Sequence, residues 1–469
     1  MKLVFWCDSG NIELFNQIAK KLEKDKWENI FLMLDKYDER RLRSIRTNAH
    51  CYNLTNYMHN NWSAFTSDKL TYYQNKYPNI NFWEIYYSDR HIAKYDRDDS
   101  IKFLIGHIMF LEMLYETERP DAFVYETPDN ITAYLAVELG RYFNVTYVGF
   151  IGDSLNYNTK MQISDNVFFI NEKMKKLYYG DYQFTQEEIK NAQTLIERIS
   201  DPHNRPAYME AHTKAPKFKW SFISDIAKYI IRRFLPRFND KYCYINYKNY
   251  KQHLQPIKRF LSYKKCKKYF LKPIEKQKYY VFPLHYQPEV TTSIWASKYV
   301  NQLFFIDNIA KSIPLDTVLY VKEHYGGLGS RQERFYKDLK KYKNVRLIDP
   351  FINIHTLIDN AQATLVLTNT TGLECIIRQK PVIVCGSVYY DFFEGVTKVN
   401  DIYCERSKIL KPNLVEKDKV IRFVASYQKS FYNGYINPAD IASLEEKNID
   451  NFVYAIKDFL KQNKSKGNC

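Results

Sequence analysis

Tyr279-Tyr280-Val281-Phe282 opens the stretch that decides the fold, residues 279–386. It is followed by Val318-Leu319-Tyr320-Val321, Val345-Arg346-Leu347-Ile348, Thr364-Leu365-Val366-Leu367 and Pro381-Val382-Ile383-Val384-Cys385. Each of these short apolar runs has the length and β-branched or aromatic content of a buried strand. Between them lie segments with helical spacing: 298–311, with Val300, Leu303, Phe304, Ile306 and Ile309 mostly on one face, then 331–343, 353–360 and 370–378. A repeated strand–helix alternation predicts a parallel, doubly wound α/β sheet. Such a sheet gathers the carboxyl ends of its strands along one edge, where ligands bind. Three polar clusters fall at those ends: His285-Tyr286-Gln287-Pro288-Glu289, Lys322-Glu323-His324 and Thr368-Asn369-Thr370-Thr371-Gly372.

The clusters have a definite chemistry. Lys322 and His324 supply a cation and an imidazole donor suited to phosphate oxygens. Glu323 between them either faces the other way or accepts from a ribose hydroxyl. Gly326-Gly327 allows a close backbone approach. Residues 368–372 join a strand to a helix, so their hydroxyls and amides make either an anion site or a plain N-cap. Glu374, one turn on, accepts from a sugar or ribose hydroxyl, or pairs with Arg378 at i+4.

Outward toward the N-terminus a second β-turn-α-β unit opens the chain. Residues 3–6 read as a strand, Asp8-Ser9-Gly10-Asn11 as a turn, 12–24 as a helix and 29–34 as a second strand. The turn lacks a full GxGxxG, which favours a turn-only role over ligand binding. From 35 to 100 the sequence is polar and aromatic, with a strand expected at 82–87. Ile101, Leu104, Ile105, Ile108 and Leu111 form a helix face that should end before Arg119-Pro120-Asp121, and Ala122-Phe123-Val124-Tyr125 is a buried strand. Glu126 follows it directly, with Thr127 as expected N-cap and Pro128 as first helical residue. Its carboxylate is the first candidate for a catalytic or acceptor-binding group, the alternative being a partner for the helix dipole. Asp153, after the strand 145–150, is the second candidate.

Residues 156–277 read as insertion and linker, broken by Pro202, Pro206 and Pro216. Within it, 220–238 forms a basic amphipathic helix, suited to an anionic membrane surface or to packing between domains. The Tyr- and Lys-rich stretch 241–278 carries no nucleic-acid-binding module signature, so no nucleic-acid partner is expected. The net charge of +16, from 69 Lys and Arg against 53 Asp and Glu, favours anionic partners without choosing one. Eight cysteines without a CxxC pair suggest a reducing compartment. The apolar start is too short for a signal-peptide core, and no run approaches the roughly 20 residues that span a bilayer. A cytoplasmic protein follows, with peripheral membrane contact as one of the two readings of 220–238 and packing between domains as the other. No DxD triplet stands at a strand end, Asp96-Arg97-Asp98 lying in a polar context, so no metal site is expected.

The series His285-Tyr286-Gln287-Pro288-Glu289 with Thr291-Thr292, Tyr320-Val321-Lys322-Glu323-His324, Arg331 with Phe335-Tyr336, residues 344–350, Thr370-Thr371-Gly372-Leu373-Glu374 and residues 380–384 resembles the bacterial capsule polysaccharide biosynthesis proteins. That family includes Kdo-transferring enzymes and is similar to GT-B glycosyltransferases with a Lys-x-His-Pro motif. The resemblance covers about residues 279–400 and implies two Rossmann-like domains facing a central cleft. It implies transfer of a sugar, Kdo or another acidic one, from a CMP- or UDP-linked donor to a glycan or glycolipid acceptor, with no cofactor or metal. It puts Lys322, His324, Thr370, Thr371 and Gly372 on the donor phosphate, and His285, Gln287, Glu289, Glu323 and Glu374 around the donor. Here Tyr325 stands where that motif has Pro. The expected layout is an acceptor-side domain at 1–200, a basic linker at 201–277, a donor domain at 278–425 and a helical segment at 426–469 that returns to the first domain. The alternatives are a CDP-polyol phosphotransferase, a nucleotide-sugar epimerase, or a non-catalytic polysaccharide- or membrane-binding scaffold.

Overall fold

Two predominantly parallel sheets organise the chain. The computed structural model describes residues 1–8, 10–156, 159–201, 215–436 and 441–466; Ser9, Pro202 and Pro206 lie outside them. Two compact units result, one of Met1–Phe169, Ile231–Tyr250 and Phe431–Cys469, the other of Ile170–Ile230 and Lys251–Ser430. The first boundary thus falls at residue 169 rather than 200, and the stretch 201–277 divides between the units.

In the first unit the strands are β1 (Lys2–Cys7), β2 (Glu28–Met33), β3 (Cys51–Asn53), β4 (Ala122–Tyr125), β5 (Thr146–Gly152) and β6 (Lys160–Ser164). Their order is β6-β5-β4-β1-β2-β3. β1 pairs in parallel with β2 on one side and β4 on the other, Leu3 lying opposite both Asn29 and Ala122. The chain therefore winds one way from β1 through β3 and then returns to start again at β4, which places the switch in winding between β1 and β4. Leu3 through Cys7 are buried, and Phe5 stacks on Phe31 at 5.8 Å, as a strand covered on both faces requires.

Two local expectations are corrected. Residues 82–87 are not a strand: Phe82–Ser88 is a helix, capped by the Asn81 side chain accepting from the Glu84 amide at 3.1 Å. Trp83 and Tyr87, one turn apart, stack at 5.9 Å. The helix after β4 begins at Ile131 and not at Pro128, because the Asn130 side chain, accepting from the Ala133 amide at 3.0 Å, is its cap. Thr127 and Pro128 stay in the loop, which keeps Glu126 and Asp129 at the strand end.

The second unit holds β7 (Tyr279–Pro283), β8 (Val318–Lys322), β9 (Val345–Ile348), β10 (Ala363–Val366), β11 (Val382–Val384) and β12 (Val396–Lys398). They pair in parallel in the order β12-β11-β10-β7-β8-β9. Alternate residues of β7 serve two cores, Tyr280 and Phe282 packing with Phe305, Leu319 and Leu365, and Tyr279 and Val281 with Tyr320 and Leu357. The winding switches between β7 and β10. Helix 298–311 is shorter than expected, Gln302–Ser312, with the Asn301 side chain as its cap.

The segment Phe431–Cys469 belongs to the first unit. Its strand β13 (Tyr432–Asn433) adds antiparallel to β6. Its helix Glu446–Lys466 meets the helix Ile12–Glu23 through Lys21 and Asp450 at 2.5 Å. Among the described residues no helix is long and apolar enough to cross a membrane.

Candidate functional site

Each sheet presents polar side chains at its own winding switch. In the first unit, Asp8 follows β1 and Glu126 follows β4, so both stand at the switch. The Tyr125 hydroxyl donates to Asp8 Oδ2 at 2.8 Å. Asn11, at the N-cap position of the helix Ile12–Glu23, makes no capping bond; its side chain turns back to Asp8, accepting from the Asp8 amide and donating to Oδ1, each at 3.2 Å. Tyr147 holds the Glu126 carbonyl at 2.7 Å. Asp129 accepts from Arg90 at 2.7 Å and from Asn130 Nδ2 at 3.1 Å.

Three carboxyls in one half-buried place repel one another's charge. Burial, helped by Glu126 and Asp129, pushes Asp8 up to about 8 against the opposing Tyr125 hydrogen bond. Burial and then Asp129 push Glu126 up to about 7, against the Asn11 hydrogen bond. Burial also raises Asp129, with Arg90 opposing. A carboxyl whose proton affinity lies near neutral pH is suited to take a proton from a hydroxyl. Asp8 was not singled out from the sequence, where it read as a turn residue; the only signal was its place directly after the first apolar run.

Asp153 is differently placed. It is buried, and its oxygens accept from the Leu155 amide at 2.9 Å and from Asn156 Nδ2 at 2.5 Å, holding the turn between β5 and β6.

In the second unit the switch brings His285 to the loop after β10: the Thr368 amide points to His285 Nε2 at 3.5 Å. His285 is pushed down to about 3, first by burial and then by the charges of His324 and Arg331, so its imidazole is neutral. Asn369 donates to the Pro283 carbonyl at 3.4 Å, and its side-chain oxygen is buried with no hydrogen-bond partner. Lys322 is buried at the end of β8; its ammonium donates to the Pro350 carbonyl at 2.8 Å and lies 4.6 Å from the Tyr325 ring centroid. Tyr325, at the position where the resembling motif has Pro, therefore covers the lysine. His324 Nδ1 accepts from the Gly326 amide at 3.0 Å, which fixes the imidazole over the turn.

Several expected donor ligands have structural work. Glu323 is fully buried: it accepts from Arg331 at 3.0 Å, from the Tyr336 hydroxyl at 2.8 Å and from the His324 amide at 2.9 Å. Gln287 donates to the Val300 carbonyl at 2.7 Å, and Glu289 accepts from Thr291 at 3.2 Å. Glu374 does not pair with Arg378. It faces His355 Nε2 at 3.0 Å, while Arg378 binds Asp359 and the carbonyls of Ile199 and Ser200. Gly372 is required by packing, since a Cβ there would run into the Tyr390 hydroxyl and Val366. Thr370 precedes the helix Thr371–Ile377 without a side-chain capping bond, so the plain N-cap reading of its hydroxyl does not hold. Beside the β7 and β8 loops lies a cavity of about 390 Å³ lined in part by Tyr286, Gln287, Gly327, Arg331 and Phe335.

Two Rossmann-like, predominantly parallel sheets with polar groups at their switch points define an α/β protein. The family model described as "capsule polysaccharide biosynthesis protein" matches residues 192–437, just over half of the chain and all of the stretch 279–400. The chain belongs to that family. No curated protein matches it in sequence. Among solved structures, it is similar to the β-Kdo 2,7 transferase of Thermosulfurimonas dismutans KpsC, at 13% identity and a TM-score of 0.38 over 74% of this chain and 88% of that one. It is also similar to the UDP-GlcNAc 2-epimerase of Methanocaldococcus jannaschii in complex with UDP-GlcNAc and UDP, at 12% identity and a TM-score of 0.27 over 92% and 99%.

Proposed function

We propose that this protein is a metal-independent glycosyltransferase of capsule or surface polysaccharide synthesis. It takes a CMP- or UDP-linked sugar, Kdo or another acidic one, and transfers it to a glycan or glycolipid. The observation that carries the reading is Glu126, a carboxyl at the first sheet's switch point whose proton affinity burial and Asp129 raise to about 7. In this reading Glu126 takes the proton of the acceptor hydroxyl as it attacks the anomeric carbon. The bond from that carbon to the donor phosphate breaks, and the nucleotide leaves with the bonding pair. Asp129 is the neighbour whose charge raises the affinity of Glu126 for that proton.

On the donor side Lys322, His324 and the Thr370 and Thr371 hydroxyls meet the leaving phosphate, stabilising charge that grows in the transition state. His285, uncharged, and Asn369, with its unpartnered oxygen, face the rest of the donor. Glu323 supports this set from behind by orienting the His324 amide and Arg331.

Binding of CMP-, UDP-, GDP- and CDP-linked donors to the washed protein tests the reading. A CMP- or UDP-sugar should bind and turn over only with an acceptor. Turnover of a UDP-sugar alone would make the protein an epimerase, and failure of every nucleotide to bind overturns the proposal. Lys322→Gln should weaken donor binding by about 10- to 100-fold, the worth of one hydrogen bond to a charged group, in a titration followed by calorimetry. An unchanged Kd would remove Lys322 from the phosphate site.

A further inference from the structure

The helix Ser221–Arg233 is turned inside out. The residues that face the protein are Phe222, Asp225, Tyr229 and Arg232, each buried or half-buried. Phe222 is its one apolar anchor in that row, packing on Phe260 with a ring separation of 6.0 Å. The opposite stripe, in line at helical spacing, is Trp220, Ile223, Ile226, Ile230, Ile231 and Phe234, and all six are exposed. Trp220 is 79% exposed and Phe234 77%. An ordinary surface helix buries such a stripe, so the solvent-facing row is the unexplained feature. Contiguous exposed apolar surface of this kind marks an interaction site.

Cations border the stripe. At 3.6 residues per turn, Arg233 falls along one edge and Lys228 beyond the other, and Lys219 adjoins Trp220 at the start. All three are exposed, Lys228 within 4.0 Å of Asp225. The chain as a whole carries +16. An apolar row bearing Trp and Phe, bordered by Lys and Arg, complements the interface of a bilayer with anionic headgroups: the rings and branched chains enter the acyl boundary while the cations stay at the phosphates.

We propose that this helix, from Trp220 to Phe234, docks the protein on an anionic lipid surface, lying in its plane. A glycolipid acceptor would then be met at the surface where it resides. None of these residues belongs to the two switch points, and the surface does not depend on the glycosyl-transfer reading.

The test is sedimentation of the full chain with vesicles of phosphatidylcholine alone or mixed equally with phosphatidylglycerol, at low and high salt. The protein should partition onto the mixed vesicles at least tenfold more strongly than onto phosphatidylcholine, and high salt should weaken the binding. Trp220→Ser with Phe234→Ser should abolish partition to both vesicles. Lys228→Gln with Arg233→Gln should remove about tenfold or more of the preference for phosphatidylglycerol, at roughly 1 kcal/mol per cation. These side chains are exposed, so the melting temperature and nucleotide binding should stay unchanged. Equal partition of the Ser variant and the unaltered chain overturns the proposal, as does no binding to either vesicle. A dimer in analytical ultracentrifugation that the Ser variant dissociates would also overturn it, assigning the stripe to a second copy.

Discussion

Replacing Glu126 by Gln should lower kcat by about 10²- to 10⁴-fold, the range for loss of a positioned general base, while the Kd of the nucleotide donor changes less than about twofold. The substitution keeps the size of the side chain and its capacity to hydrogen-bond Asn11, and it removes the group that takes the proton. In the unaltered protein kcat/KM should rise with pH through about 7, where Glu126 ionises, and the variant should lose that limb. Stability should move the opposite way. The affinity of Glu126 for its proton is raised in the fold above the ordinary 4.5, so the contribution of the protonated group to stability is complete below that ordinary value and is lost as pH rises through about 7. Gln escapes the loss. At pH 8 the variant should melt roughly 1–3 °C higher than the parent, a small gain because the site is only half buried, and below about pH 4 the two should coincide. An inactive but more stable protein separates a catalytic carboxyl from a structural one. If Glu126→Gln keeps its turnover, the base is elsewhere and Asp8 is the next residue to replace.

How much of this was legible in the sequence depended on whether the answer was local. Strands β7 to β11 were readable because each is a short apolar run ended by polar residues. β12 was not, since Val396-Thr397-Lys398 holds one apolar residue and makes no apolar run. The helix at 82–88 was misread because Phe82, Trp83, Tyr86 and Tyr87 suit a strand as well as a helix, and the Asn81 cap decides between them. Thr127-Pro128 has the chemistry of a helix start, as does Asn130, and local propensity does not choose between two caps three residues apart. The positions of Glu126 and Lys322 were legible, each the residue at or just after a strand's end. Asp8 was hidden because its meaning comes from β1 lying beside β4, a pairing across more than a hundred residues. The roles of Glu323 and Glu374 were hidden for the same reason: Arg331, Tyr336 and His355 reach them from other elements.

Arg331→Ala should destabilise the second unit by about 3–5 kcal/mol, the cost of leaving one partner of a buried ion pair uncompensated. The Glu323 side chain has no solvent exposure, and Arg331 is 12% exposed. Besides the 3.0 Å bond to Glu323, the guanidinium holds the His285 carbonyl at 2.5 Å and lies 4.9 Å from the Phe335 ring centroid. It therefore joins the end of β7 to the loop after β8, where Lys322 and His324 sit. Without it, Glu323 keeps the Tyr336 hydroxyl and the His324 amide but no cation. A urea melt followed by circular dichroism should show the second unit's transition at a much lower midpoint, with donor binding weakened as the two loops lose their tie. The pair Glu323→Gln with Arg331→Met should recover most of the loss, because the Gln oxygen still accepts from the His324 amide, its NH2 donates to the Tyr336 hydroxyl oxygen, and no buried charge remains. If Glu323 instead held a donor hydroxyl, Arg331→Ala would leave the midpoint nearly unchanged, and Glu323→Gln would weaken the donor without affecting stability. The urea midpoint decides between a carboxylate that binds sugar and one that fixes the loops on which the phosphate-binding residues stand.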